Sequence, residues 1–396
     1  MRRPEQPDAE DAKITQRTQK NQKTIFEWDE TRMEHGLFAI ASKAIGLNFF
    51  ASFANPLRPL RPAFPASLSP TTLKETTMQR RPFTLALACA ATLAATGVQA
   101  QADWPSQPIT IIVPYAPGGT TDVVGRALAA GLGKQLKQSV VVENKPGAGG
   151  TLGMGEMQRA KPDGYRLTMV PVSVFRQPYV QKVSYDPIGD LSYIASFTAY
   201  DFILAVAADS PFKTVKDLVA AAKTSKGGVS YGTPGKFTGN QVTMALLGKA
   251  ANVPFVHVPY KGDSEATNAL LGGHVQAIVS TNGIRTFMDS GKVRALAIAA
   301  EQRPAAFANV PTFKEAGYDV IVPSPLGLAG PKGLPPAIVQ KLDAAIKAVL
   351  AEPDWQRTIE TYGIRSDYRD HGAYTEFARK NFAAEKVIVE SLGLND

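Results

Sequence analysis

From Ile109 to the C-terminus, short β-branched runs alternate with segments of helical periodicity. Ile109 to Val113 reads as a strand and Thr121 to Leu136 as an amphipathic helix, so VPYAPGGTTD (113–122) is a strand–loop–helix turn. The pattern repeats. Strands are predicted at Val140 to Glu143, Tyr165 to Val172, Leu191 to Phe197, Asp201 to Ala207, Val229 to Tyr231, Pro254 to Pro259, Val275 to Ser280 and Val293 to Ala299. Helices are predicted from Thr214, where Thr214 and Asp217 form a capping box, from about Thr238, from a cap at Ser264, at Thr312 to Ala316, after Pro335-Pro336, and from Tyr374 to Leu392. This alternation is that of an α/β protein with parallel sheets.

Two loops share one construction, strand then glycines then helix: the one around Gly118 and Gly119, and Gly232-Thr233-Pro234-Gly235. Glycine removes the Cβ, so backbone N–H groups can approach a bound group at a helix N-terminus, where the dipole favours an anion. The same glycines could equally serve only to make a tight turn, with Thr120 or Asp122 capping the helix. Facing each other, two such loops would form a cleft.

The first hundred residues break the pattern. Met78 opens what reads as an export signal: Arg80-Arg81, a small-apolar stretch from Phe83 to Thr96, and cleavage after Ala100 or Ala102. Residues 1–77 are then read as an upstream misassigned start, and 78–100 as a signal peptide. The single cysteine, Cys89, lies inside that signal, so the exported form would have neither disulfides nor thiol chemistry. Of 43 Lys and Arg and 35 Asp and Glu, 13 and 9 fall in residues 1–100, which leaves a mild excess of four cations. There is no basic run with interleaved aromatics, so nucleic acid is not an expected partner. His257, His274 and His371 are scattered without metal-ligand spacing, and neither a complete phosphate loop nor a nucleophile motif is present. No metal, cofactor or catalytic residue is expected.

VPYAPGGTTD, ENKPGAGG (143–150), PDGY (162–165), HVPYKG (257–262), GGHVQA (272–277), GKVRALAI (291–298) and VPTFKEAGY (310–318) together resemble the Bug, or TctC-like, family of extracytoplasmic solute receptors. The resemblance runs from Trp104 to the C-terminus. It implies a type II periplasmic binding protein fold: lobe 1 from 103–201 plus 322–396, lobe 2 from 202–321, and hinge strands crossing near Tyr200 to Phe202 and Val322 to Ser324. It implies a ligand carboxylate held by main-chain amides and waters at Tyr115, Ala116, Pro117, Gly118, Gly119 and Thr120, with Asp122 the family's acidic position. The opposite lobe would contribute Gly232, Thr233, Pro234, Gly235 and Thr238, and Tyr260 would lie near the cleft unless it packs at its strand end.

Three loops depart from the family pattern, and they would select the rest of the ligand. VSVFR (172–176) replaces a small-residue loop and brings Ser173 and Arg176 into play; Lys236, Phe237 and Asn240 stand where glycine and histidine are usual; Thr281-Asn282 replaces an aspartate. Arg176 would either pair with a second carboxylate or sit solvated on the rim. The expected protein is a periplasmic, monomeric receptor for a small carboxylate. Its partners would be the permease subunits of a tripartite tricarboxylate transporter or a membrane sensor kinase. A third reading, an enzyme for a phosphorylated substrate, lacks a nucleophile and base at motif spacing.

Overall fold

The apolar run ITIIV builds β1 (Ile109–Val113), whose Ile109, Ile111, Ile112 and Val113 are wholly buried, each such side chain contributing roughly 1.5–3 kcal/mol. A computed structural model describes residues 104–394; the expected signal peptide at 78–100 and residues 1–77 lie outside the described residues. After β1 come α1 (Thr120–Leu136), β2 (Val140–Asn144), α2 (Leu152–Met157), β3 (Arg166–Val170), α3 (Ser173–Val180), β4 (Leu191–Tyr200) and β5 (Ile203–Ala207). Then follow α4 (Val215–Thr224), β6 (Val229–Thr233), α5 (Gly239–Ala251), β7 (Phe255–Pro259), α6 (Asp263–Leu271), β8 (Ala277–Ser280), α7 (Arg285–Asp289) and β9 (Val293–Ile298). The chain ends with β10 (Ser324–Pro331), α8 (Pro336–Leu350), α9 (Pro353–Tyr362), β11 (Arg365–Arg369) and α10 (His371–Leu392).

Two sheets result. The first has the order β11-β4-β10-β3-β1-β2, the second β7-β6-β8-β5-β9. In the first, β1 runs parallel to β2 and β3, while β10 is antiparallel to both β3 and β4. In the second, β6 runs parallel to β7 and β8, while β5 is antiparallel to both β8 and β9. Each sheet therefore receives one antiparallel strand from a chain crossing, β5 entering after residues 201–202 and β10 after residues 299–323. This is a mixed α/β, two-lobed architecture.

The helices follow from their stripes. Ile338, Leu342, Ile346 and Val349 lay one face of α8 on the first core, and Thr214 with Asp217 closes the capping box of α4. Five details differ from the sequence reading. Residues 173–180 form α3 in spite of Pro178, and α9 and β11 were not anticipated. Thr312 to Ala316 is a turn whose Thr312 bridges Ile298, because Thr312 N–H and Arg303 both engage the Glu315 carboxylate. Ser264 does not cap α6: Gly262 is the N-cap, and the Ser264 hydroxyl donates across to Pro117 O at 3.0 Å.

The last helix joins both cores. Tyr374 and Ala378 of α10 lie in a cluster with Phe175 and Tyr193, whereas Ile388, Leu392 and Leu394 pack against the core of the second sheet.

Candidate functional site

The carboxyl ends of β1, β3, β6 and β8 lead to one cavity, the location where open α/β sheets place ligands. Four helices begin on its wall: α1 with Gly119, Thr120 and Thr121, α3 with Ser173, α5 with Asn240, and α6 with Asp263. The first turn of a helix leaves N–H groups without intrahelical partners. Side chains cap only α5, through Thr238, while α1, α3 and α6 have no side-chain cap. In α3 the Val174 and Phe175 amides are taken up by Pro171 O and Val172 O, so first-turn amides of α1 and α6 and the positive dipole ends of all four helices converge on a space of about 30 Å³, room for about two waters. Tyr115, Tyr200, Phe202, Pro234 and Leu326 complete the walls, and no lysine, arginine or histidine lines it.

The lobes meet around this cavity. Ala116 N–H donates to Lys261 O at 3.0 Å, and Gly283 N–H donates to Thr120 Oγ1 at 3.0 Å. Thr120 Oγ1 also lies 2.6 Å from Thr281 Oγ1, whose hydroxyl reaches Asp263 Oδ2 at 2.5 Å. On the other side, Gly149 comes so close to the Lys236 carbonyl that a Cβ on it would stand 2.3 Å from that oxygen.

Of the residues expected from sequence, Tyr115, Gly119, Thr120, Ser173, Pro234 and Thr281 line the cavity. The others are used elsewhere. The Gly118 N–H donates to Asp122 Oδ2 at 3.0 Å, so that amide serves an internal carboxylate rather than an external anion. Asp122 also takes hydrogen bonds from Arg126 and Asn144, which outweigh its burial and hold its carboxyl below the usual range. It braces the loop from behind. Ala116 and Pro117 make the lobe-to-lobe contacts with Lys261 and Ser264. Gly232 leaves room for the Tyr260 ring, whose edge a Cβ would meet at 3.0 Å, so Tyr260 packs at its strand end.

Thr233 and Thr238 both turn their hydroxyls to Gly235 O, at 2.9 and 3.0 Å, which shapes the second loop rather than the cavity. Thr233 Oγ1 is also 2.6 Å from His257 Nε2. Burial, with Lys236 nearby, lowers His257 to a pKa of about 4. Its native pKa thus lies below the unfolded value near 6.5, so the unfolded chain binds the proton first and stability falls as pH drops from about 6.5 toward 4. His257→Gln is expected to flatten that part of the pH profile, measured by urea unfolding at pH 7 and pH 5.

Arg176 corrects the sequence reading in both its forms. It is 1% exposed, neither on the rim nor facing the cavity. Its Nε and Nη2 donate to Glu385 Oε2 and Oε1 at 2.7 and 2.8 Å, and Nη1 donates to Phe237 O at 2.9 Å. Three of the five N–H donors of the fork, one on each nitrogen, are thus held inside the protein. Asn240, one of the departures expected to select the ligand, does line the cavity, whereas sequence reasoning missed Thr121, Tyr200 and Asp263. Thr121 follows directly from where its helix starts. Asp263 carries a signal in hindsight, an acidic residue two positions after the HVPYK strand end.

Two lobes, each with one inserted antiparallel strand, and a cavity at their facing helix N-termini define a solute-binding protein of the type II periplasmic class. The chain belongs to the TctC (Bug) family: the family model described as "Tripartite tricarboxylate transporter family receptor" matches residues 124–394. It is 43% identical over 323 residues to a UPF0065 protein of the gbd 5' region of Cupriavidus necator, covering 80% of this chain and 99% of that one. The solved periplasmic binding protein BugD is similar at 29% identity and a TM-score of 0.70, over 74% of this chain and 99% of that one. MatC from Rhodopseudomonas palustris, solved with bound malate, is similar at 27% identity and a TM-score of 0.69, over 72% of this chain and 100% of that one. The family is one of solute-binding receptors rather than enzymes. No helix among the described residues is long and apolar enough to cross a membrane.

Proposed function

We propose that the protein captures a small carboxylate in the interlobe cavity and presents it to the permease subunits of a tripartite tricarboxylate-type transporter, without acting on it chemically. The observation that carries this reading is the convergence of four helix N-termini, three without a side-chain cap, on one cavity. The bound malate of MatC supports the ligand class. Gly119, Thr120, Thr121, Ser173 and Asn240 would supply amides and hydroxyls, and Tyr115, Pro234 and Thr281 the remaining wall. Export would begin at Met78 and leave a mature N-terminus at Gln101 or Asp103, as N-terminal sequencing of the periplasmic protein would read. Lobe 1 (103–201 plus 322–396) and lobe 2 (202–321) would part and close about the two crossings.

The test is a thermal-shift screen of mono-, di- and tricarboxylates and amino acids on the exported form. A ligand at about 100 times its dissociation constant adds about 2.7 kcal/mol to stability, which a melting curve resolves. A screen in which no carboxylate raises the melting temperature overturns the proposal. A ligand that binds while the neighbouring genes encode a membrane kinase instead of permease subunits would redirect the second half of it to sensing.

A further inference from the structure

Asp263 is the one acidic side chain on the cavity wall. It opens α6, and at that position a carboxylate complements the dipole of its own helix. The dipole, the Thr281 hydroxyl and amide and the Ser280 hydroxyl all favour the carboxylate. Oδ1 is nonetheless buried without a partner in hydrogen-bond geometry, and so is the Tyr200 hydroxyl on the same cavity, whose neighbour is the Thr121 side chain. Leaving a carboxylate oxygen unsatisfied in a desolvated site is costly, and burial pushes Asp263 above the usual carboxylate range.

Among the described residues, no cation on the cavity wall offsets it. The lining contains no lysine, arginine or histidine, and Arg176, the base nearest in the sequence reading, is committed to Glu385 and Phe237 O. A cavity built for a simple anion would not place an unpaired carboxylate among its amides. The wall is instead divided, with positive helix ends from α1, α3 and α5 on one part and a negative oxygen with a spare acceptor on another.

We infer that the ligand carries a cationic amino group beside its carboxylate, with the carboxylate on the helix N-termini and the ammonium on Asp263 Oδ1. This rests on the carboxylate-receptor reading and narrows it to amino acids and related aminocarboxylates. The Tyr200 hydroxyl, able to donate or accept, is available to either end of such a ligand. An ammonium at Oδ1 would convert an uncompensated buried charge into a charge-assisted hydrogen bond, which favours discrimination against the analogue lacking the amine.

Calorimetry with two matched pairs tests it: L-alanine against propionate, and L-aspartate against succinate, on the wild type and on Asp263→Asn. In whichever pair binds, the amino acid is expected to bind about tenfold tighter or better, and Asp263→Asn to reduce that preference to within about threefold. Wild-type protein that prefers propionate or succinate overturns the inference while upholding carboxylate capture. Binding of none of the four, in a protein that also ignores all other carboxylates, fails the underlying reading instead. Should Asp263→Asn not fold, Asp263→Ser, which keeps a small polar group at the helix start, serves in its place, and the wild-type preference alone still decides. Unchanged selectivity in a folded variant overturns the assignment to Asp263.

Discussion

Glu385→Ala should lower stability by about 3–5 kcal/mol, because it leaves the Arg176 guanidinium buried and without its counter-charge. The pair joins α3 to α10 through two hydrogen bonds, and both side chains are almost wholly buried. Burial drives the Glu385 carboxyl upward in pKa while the guanidinium draws it back, so the two charges hold each other in place. For a chain of this size the loss corresponds to a fall in melting temperature of about 10 °C. A surface ion pair would be worth less than about 1 kcal/mol, so the size of the effect is diagnostic. The double variant Arg176→Met with Glu385→Leu removes both charges and fills similar volume, and should recover most of the loss. Thermal unfolding of the three proteins checks this; a Glu385→Ala protein that melts within 2–3 °C of wild type, roughly 1 kcal/mol, would show that the pair is solvated in solution.

The second large effect is on binding. Gly149→Val should weaken any ligand about 5- to 150-fold, because a Cβ at that position stands 2.3 Å from the Lys236 carbonyl of the opposite lobe and 2.5 Å from the Gln177 amide. Overpacking of this kind costs typically about 1–3 kcal/mol, and the Lys236 contact, made across the lobes, is the part that opposes their closure. Gly149 also has φ +62, so part of any loss of fold stability comes from backbone strain. Gly291→Ala separates the two: its φ is +69 but nothing lies within 4 Å of its Cβ. That variant should lose some stability and keep its affinity, and equal affinity loss in both variants would count against the steric argument.

Local structure was legible wherever the signal was local. The run ITIIV, the capping box at Thr214 and the apolar stripe of α8 each announce their element within a few residues. Of the residues in the family fingerprints, Tyr115, Gly119 and Thr120 stand on the cavity wall, and so does Thr281, one of the departures from the family pattern. What failed was long-range pairing. Arg176 meets a glutamate 209 positions away, and nothing in VSVFR reveals that partner. Asp122 looked like a ligand group because it follows the glycines, yet the same proximity lets it take the Gly118 amide for itself. Asp263 was passed over for the opposite reason: a first-turn acid reads as an ordinary dipole partner, and only the burial of Oδ1 sets it apart. α3 was passed over because the family pattern reads VSVFR as a loop, whereas residues 173–180 are helical here.

The helix α10 has a mechanical consequence. Two bodies linked by a pair of short chain segments can still roll and twist as well as swing, but a rigid bar fastened at both ends to those bodies removes most of that freedom. One end of α10 is fastened to the first core through Tyr374 and Ala378; the other is fastened to the second through Ile388 and Leu392, with the Lys249 ammonium donating to Ser391 O at 2.6 Å. The bar runs beside the buried Arg176–Glu385 pair, so any tilt of one core against the other has to be taken up in this helix or at its two fastenings.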